Sequence, residues 1–201
     1  MKFYLLENPM KPSVFAQFAA VGAWTDGSIC ESCGELIGGE RAEPLQTEWE
    51  DGTDRIGSFS WSSYTCAVTD DVRQFLVERG VDCLFGRVEV MRPTRKTRRL
   101  RVPFPYTGPN LHWLMPTRRV PLNEARSSIK LVSDCPQCGQ KRYTFKREGL
   151  MIDAAEIGNT SLFLIDQFGK SDATFVTEPL LSGLKSQGFT NLSPRLAGEI
   201  R

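Results

Sequence analysis

The amino-acid sequence predicts an α+β fold, because two kinds of local pattern alternate along the chain. Two segments, residues 69–80 and 177–188, have the caps and the apolar spacing of short helices. Segments rich in strand-forming residues surround them, and two Cys-x-x-Cys-Gly motifs, residues 30–34 and 135–139, indicate tight turns. With 201 residues and 40% hydrophobic content, the chain is long enough to bury a core as a single domain spanning residues 1–201.

The first predicted helix has the clearest boundaries. Thr69 is a suitable N-cap, and Gly80 is a suitable residue for the left-handed position that ends a helix. Val72, Phe75 and Leu76 form one apolar stripe at helical spacing. Around this helix the pattern predicts strands at residues 2–6, 59–66 and 84–91, and a polar loop at residues 46–53.

The C-terminal third repeats this order, with a short strand at residues 162–165 before the second helix. Cys30 and Cys135 are 105 positions apart, and Thr69 and Thr177 are 108 positions apart. Because capped helices resemble one another, the nearly equal spacing between motif and helix carries more weight than the matching residues. The sequence therefore predicts an internal repeat of residues 1–91 and 122–201, separated by an irregular, exposed, Pro- and Arg-rich excursion at residues 92–121.

The two cysteine motifs predict a metal site. A Cys-x-x-Cys spacing lets two thiolates converge on one tetrahedral ion, and the following glycine lets the backbone turn beneath the sulfurs. One motif supplies half of a zinc ligand shell, whereas two supply four sulfurs and leave no open position for water or substrate. We predict that one structural zinc ion is bound by Cys30, Cys33, Cys135 and Cys138.

Other interpretations of these cysteines stay open at the level of sequence. Each motif alone is compatible with a redox pair or a separate turn, and the four thiols are compatible with two disulfides. About a hundred residues separate the motifs, several times the interval of an ordinary zinc ribbon. Cys66 and Cys83 have no partner spacing and are expected to be small buried apolar residues.

Composition points to a reducing, aqueous compartment. The 25 basic and 24 acidic side chains give a net charge of +1, which provides no general attraction to nucleic acid or anionic membranes. No apolar stretch approaches the roughly 20 residues that cross a bilayer, and Glu7 and Pro9 interrupt the first apolar run. We expect a cytoplasmic protein with no membrane association.

Residues 92–101 contain six cations and are the strongest charge feature. Such a segment is suited to gripping phosphates, and zinc ribbons are common in nucleic-acid machinery. It is equally suited to a solvated arm, to the exposed face of an edge strand, or to docking an acidic partner. We favour these alternatives, so nucleic-acid binding is the second hypothesis.

The sequence contains no recognisable catalytic motif. It has no Gly-rich phosphate loop, no serine nucleophile elbow and no His-Glu metal motif. His112 is the single histidine and lies in an apolar context, where a structural role is usual. We therefore expect a protein that is not an enzyme.

The paired Cys30–Cys33 and Cys135–Cys138 motifs, in a chain of this size, resemble those of the double-CXXCG motif proteins of myxobacteria. Members of that family are regarded as immunity proteins against Sit-type swapped lipoprotein toxins. The resemblance implies that the four cysteines are zinc ligands, that there are no catalytic residues, and that the protein neutralises a cognate toxin by occlusion. Arg and aromatic residues are favoured at interfaces, so we expect the contact surface in the excursion, at Arg95, Arg98, Arg99, Tyr106, Trp113 and Arg118. The alternative is that Trp113 and Tyr106 only pack this loop onto the core.

Overall fold

The computed structural model of the protein describes residues 1–9, 14–21, 24–51, 53–62, 64–93, 102–144 and 148–201. The described part of the chain is mostly β, with three short helices and one 3-10 turn. Its strands are β1 (Lys2–Glu7), β2 (Gln17–Ala20), β3 (Trp24–Ile29), β4 (Leu36–Arg41), β5 (Leu45–Asp51), β6 (Phe59–Ser62), β7 (Thr65–Thr69), β8 (Cys83–Met91), β9 (Leu111–Pro116), β10 (Arg119–Val120), β11 (Leu131–Asp134), β12 (Lys141–Tyr143), β13 (Leu150–Ile152), β14 (Leu162–Ile165), β15 (Phe175–Thr177) and β16 (Ser193–Ile200). The helices are α1 (Asp70–Glu78), α2 (Ala154–Ile157) and α3 (Glu178–Ser186), and the 3-10 turn covers Asp166–Phe168.

Two curled six-stranded sheets make up most of the structure. The first sheet has the strand order β10-β14-β15-β1-β16-β13, and the second has the order β2-β5-β8-β9-β7-β6. Curling brings the edge strands of the second sheet together, and the Ala20 N–H donates a hydrogen bond to Ser62 Oγ at 2.8 Å. Two small sheets, β3-β4 and β11-β12, project as hairpins, and each carries one cysteine motif at its turn.

Five neighbouring strands in the two sheets share one order and one set of directions. The run β6-β7-β9-β8-β5 of the second sheet matches β14-β15-β1-β16-β13 of the first. In both runs the last pair is parallel and the other pairs are antiparallel. The register agrees as well, because Thr69 lies opposite Leu111 and Thr177 lies opposite Phe3, each threonine directly preceding a helix. The two sheets therefore follow the same plan.

The middle strand of each matching run comes from the other half of the chain. β1 lies between β15 and β16, whereas β9 lies between β7 and β8. Residues 94–101 divide the chain into two halves. β1 belongs to the first half but lies in the sheet built from strands of the second half, and β9 belongs to the second half but lies in the sheet built from strands of the first half. The two sheets are thus connected by an exchange of central strands.

A shared apolar core lies between the sheets and the two longer helices. It contains Phe59 and Trp61 from the second sheet, Leu162 and Val176 from the first, and apolar residues of α1 and α3. The ring of Phe75 on α1 meets that of Phe189, just after α3, edge to face at a centroid distance of 5.4 Å. Each sheet also has its own buried cluster, around Phe3 and Phe175 in the first and around Phe18 and Trp49 in the second.

The predicted α+β class is confirmed only at a coarser level, because the structure is mostly β with a few short helices and two curled sheets. Two other expectations from sequence need correction. The excursion predicted at residues 92–121 is not irregular throughout, because residues 111–116 form β9 in the middle of the second sheet. The polar loop expected at residues 46–53 is largely strand β5, with Trp49 buried. Among the described helices, none has the length and apolar character needed to cross a bilayer.

Candidate metal centre

Each cysteine motif is held in its turn by the same pair of backbone hydrogen bonds. In the first, the Cys30 N–H donates to the Glu35 carbonyl at 2.9 Å, and the Gly34 N–H donates to the Cys30 carbonyl at 2.8 Å. The second motif repeats both bonds at 3.0 and 2.8 Å. Gly34 and Gly139 have φ angles of 73° and 69°, a left-handed conformation that favours glycine. These turns point both thiols of a motif toward one side of its hairpin.

The four motif cysteines converge at one place between the hairpins. The Sγ atoms of Cys30 and Cys135 are 3.8 Å apart, and those of Cys33 and Cys138 are 3.6 Å apart. All four sulfurs lie within 4.8 Å of one another. Sulfurs at about 2.3 Å from a tetrahedral zinc ion are about 3.8 Å apart, so the spacing fits such an ion. In the described ranges, no other group of three or more His, Cys, Asp or Glu side chains converges in this way.

The local environment makes these thiols ionise unequally. Backbone N–H groups of Cys138 and Gln137 lower the pKa of the Cys135 thiol to about 6. The Glu35 N–H also lowers the pKa of the Cys33 thiol, but burial and the neighbouring thiols outweigh it and raise that pKa to about 12. The Cys135 thiolate is therefore stabilised, and its negative charge opposes ionisation of the neighbouring thiols. A bound divalent cation offsets this repulsion, which suits the cluster to a metal ion such as zinc.

Ion pairs connect the two hairpins to each other and to the rest of the structure. Arg142 Nε on β12 lies 3.3 Å from Glu35 Oε1, which directly follows the first motif. Arg41 Nη1 at the end of β4 lies 2.6 Å from Asp172 Oδ1, and its guanidinium stacks over the Trp113 ring at 4.9 Å. The cysteines are thus positioned by contacts to both sheets as well as by their own turns.

The remaining two cysteines are separate from the cluster. Cys66 is buried in β7, and burial raises the pKa of its thiol well above the ordinary value. Burial, with the charge of Asp82 as a smaller cause, raises the pKa of the half-buried Cys83 thiol to about 11. All six cysteines are free thiols in this structure. Cys66 and Cys83 therefore stay protonated at neutral pH and pack as small side chains.

His112 lies beside a helix rather than in the metal cluster. Its Nε2 is 2.6 Å from Asp70 Oδ1, at the start of α1, and the Asn110 amide donates to the same carboxylate at 3.3 Å. In the first sheet the equivalent contact is made by the Tyr4 hydroxyl, which donates to Glu178 at 3.5 Å. Both sheets therefore tie the first turn of a helix to a central strand, which gives His112 a structural role.

The residues predicted to contact a partner are found in different environments. Trp113 is 0% exposed in β9, so the prediction that it forms a surface contact is wrong for this structure. Tyr106 is half-buried, packs against Trp49 at a centroid distance of 6.3 Å, and donates to the Pro109 carbonyl at 2.8 Å. Arg118 is exposed. Three further predicted contacts lie outside the described residues: Arg95, Arg98 and Arg99.

A groove beside the second hairpin was not predicted from the sequence. One of its walls is β12, and the other is formed by the 3-10 turn and the residues that follow it. The only local signal was the pair of cations Lys141 and Arg142, shortly after the second cysteine motif. The sequence of the second motif and the residues after it predicts a turn followed by a strand, and the structure confirms this with β12. That pattern assigns no role to the cations Lys141 and Arg142.

Comparison of the sequence with protein-family models and with curated proteins found no match. The candidate site is therefore interpreted from its own geometry: four cysteines on two hairpins, arranged to bind one metal ion.

Proposed function

We propose that this protein is a zinc-stabilised immunity protein that binds a cognate protein toxin in the cytoplasm and neutralises it by occlusion. The observation that carries the proposal is the four-thiol cluster, built from the two motifs that resemble those of the double-CXXCG immunity proteins. A zinc ion with four sulfur ligands has no open position for water or substrate, so its role is architectural. A protein organised around such a site acts through the surface that it presents.

The proposal includes one zinc ion per chain, bound by Cys30, Cys33, Cys135 and Cys138. Sulfur separations of 3.6 and 3.8 Å across the two motifs support a single shared ion rather than two half-sites. A cytoplasmic location fits this chemistry, because a reducing compartment keeps all four thiols available as ligands. Neutralisation by binding also requires no catalytic residue.

We further infer that the two halves of the chain arose by duplication of one unit, followed by exchange of its first strand. The matching strand order, strand directions and register of the two sheets support this inference. The shared zinc site then has a simple origin, because each unit contributes one cysteine motif. The single domain is thus two interleaved units joined by a metal site.

Co-expression tests the proposed function. The toxin domain encoded beside this gene in its native genome is expressed in a host cell with the wild-type protein or with an empty vector. We expect growth to be restored by the wild-type protein, and a stable complex to purify from the same cells. Failure of both rescue and binding contradicts the proposal. Tight oligonucleotide binding that weakens steeply with salt instead supports the nucleic-acid hypothesis based on residues 92–101.

A further inference from the structure

We propose that a groove beside the second hairpin is the surface that binds the partner, and that it accepts an acidic segment of that protein. This inference rests on the proposed function, since it names the contact surface for the same partner. The groove is a cavity of about 400 Å³ between β12 and residues 167–171. A second cavity of about 370 Å³ adjoins it, and both cavities are lined by Gln140, Lys141, Tyr143 and Gln167. We call the two adjoining cavities together the hairpin groove.

The floor and wall of the hairpin groove are fixed before any partner binds. The Tyr143 hydroxyl donates to Glu124 Oε1 at 2.8 Å, and Gln167 Nε2 donates to the same oxygen at 3.2 Å. The Gln167 side chain also pairs with the backbone of Leu122, accepting from its N–H at 2.9 Å and donating to its carbonyl at 3.3 Å. A preformed surface of this kind loses little conformational entropy on binding, which favours affinity.

Charge is distributed unequally along the hairpin groove. The first cavity is lined by the cations Lys141 and Arg142, and its one carboxylate is Glu35, 3.3 Å from Arg142. The second cavity is lined by the carboxylates of Glu124 and Asp166, together with Lys141. Carboxylates of a partner are therefore attracted to the end formed by Lys141 and Arg142 and repelled from the end formed by Glu124 and Asp166. This polarity fixes the direction in which an acidic segment lies.

An exposed apolar residue beside the groove indicates that the occupant is a polypeptide. Leu131 is the cross-strand neighbour of Tyr143, and its side chain is 50% exposed. Protein interfaces combine exposed apolar side chains with arginine and aromatic groups, whereas a small anion needs only the cations. We therefore assign the groove to an acidic protein segment rather than to a free anion.

The shared plan of the two sheets does not require this groove. In the second sheet, β6 and β7 are joined by residues 63–64, whereas in the first sheet the equivalent strands β14 and β15 are joined by residues 166–174. That longer connection supplies Gln167, Phe168 and Lys170 to the groove wall. The groove thus belongs to the part of the molecule that distinguishes one half from the other.

Charge reversal on the hairpin tests the assignment. Lys141→Glu, which keeps the Arg142–Glu35 ion pair, is compared with Lys185→Glu, an exposed control on α3 outside the groove. We expect the Lys141 variant to bind the toxin domain about tenfold more weakly, with unchanged zinc content and melting temperature. We expect the control to bind like the wild type. Wild-type binding by the Lys141 variant, or equal loss in the control, overturns the assignment.

A defined probe separates this inference from the proposed function. A polyglutamate peptide and a single-stranded oligonucleotide are titrated into the isotope-labelled zinc protein and followed by NMR. We expect the peptide to shift the backbone amide signals of Lys141, Arg142 and Lys170. Peptide shifts located elsewhere, no peptide shifts at all, or tighter oligonucleotide binding at the same residues overturn the assignment. If the wild-type protein binds no toxin domain, the proposed function fails, and the peptide titration still decides the charge preference of the groove.

Discussion

Cys30 and Cys135 are 105 residues apart in the chain, yet their Sγ atoms lie 3.8 Å apart in the structure. This contact joins the hairpin that precedes β5 to the hairpin that precedes β13, so a metal bound here connects the two units of the shared plan. Because the metal site closes such a long loop, its loss affects far more than the hairpins themselves.

Cys135→Ser is therefore expected to destabilise the whole protein. Removing one thiolate disrupts the ligand shell, and we expect the free energy of unfolding to fall by more than about 4 kcal/mol. Denaturant unfolding, combined with metal analysis of the same sample, measures the effect. Cys83→Ser is the matched control, because that thiol lies outside the cluster, and it should retain zinc. Equal stability of the two variants is incompatible with a metal that links the units.

Exchange of the central strands predicts that the two halves of the chain depend on each other. A fragment of residues 1–93 lacks β9, and a fragment of residues 102–201 lacks β1, so each sheet is left without a central strand. We expect neither fragment to unfold cooperatively alone, but the two to form a zinc-containing complex when co-expressed. Circular dichroism melting and size-exclusion chromatography test this. A cooperative transition in either isolated fragment speaks against the exchange.

Trp113→Ala is expected to reduce stability rather than to affect binding alone. The side chain is 0% exposed, and the Arg41 guanidinium lies 4.9 Å from its ring centroid, so truncation leaves a buried cavity and removes the ring that packs against this cation. A loss of about 3–5 kcal/mol is expected from denaturant unfolding. Trp113→Phe, which keeps an aromatic ring, should lose less. A loss below about 1 kcal/mol for the alanine variant contradicts the buried position.

Asp70 is expected to contribute to stability only above acidic pH. Its hydrogen bonds from His112 and Asn110 lower its pKa in the folded protein. Since the unfolded value is about 3.9, the contribution is fully present above that pH and disappears as pH falls through the lower folded value. The difference in unfolding free energy between wild type and Asp70→Asn should therefore shrink between about pH 5 and pH 2. A difference that is constant over this range refutes the interpretation.

The parts of the structure that sequence predicted correctly depend on local patterns. The cysteine spacing indicated the metal cluster, and the Thr69 and Gly80 caps located α1 to within two residues of its ends. β5 and β9 were missed because their partners are distant in the chain. β5 pairs in parallel with β8, and β9 fills the gap between β7 and β8 after a long proline-containing connection. Burial of Trp49 and Trp113 follows from those pairings, which no local pattern contains.

Metal content is the most direct test of the central claim that four cysteines from two hairpins bind one structural zinc ion. The protein is purified under reducing conditions without added metal, and zinc, iron and protein are quantified in the same sample. We predict one zinc ion per chain, removal of that ion by a strong chelator with loss of the cooperative melting transition, and recovery of both on adding zinc. Metal-free protein that melts cooperatively, with four reactive or disulfide-bonded motif thiols, contradicts the claim.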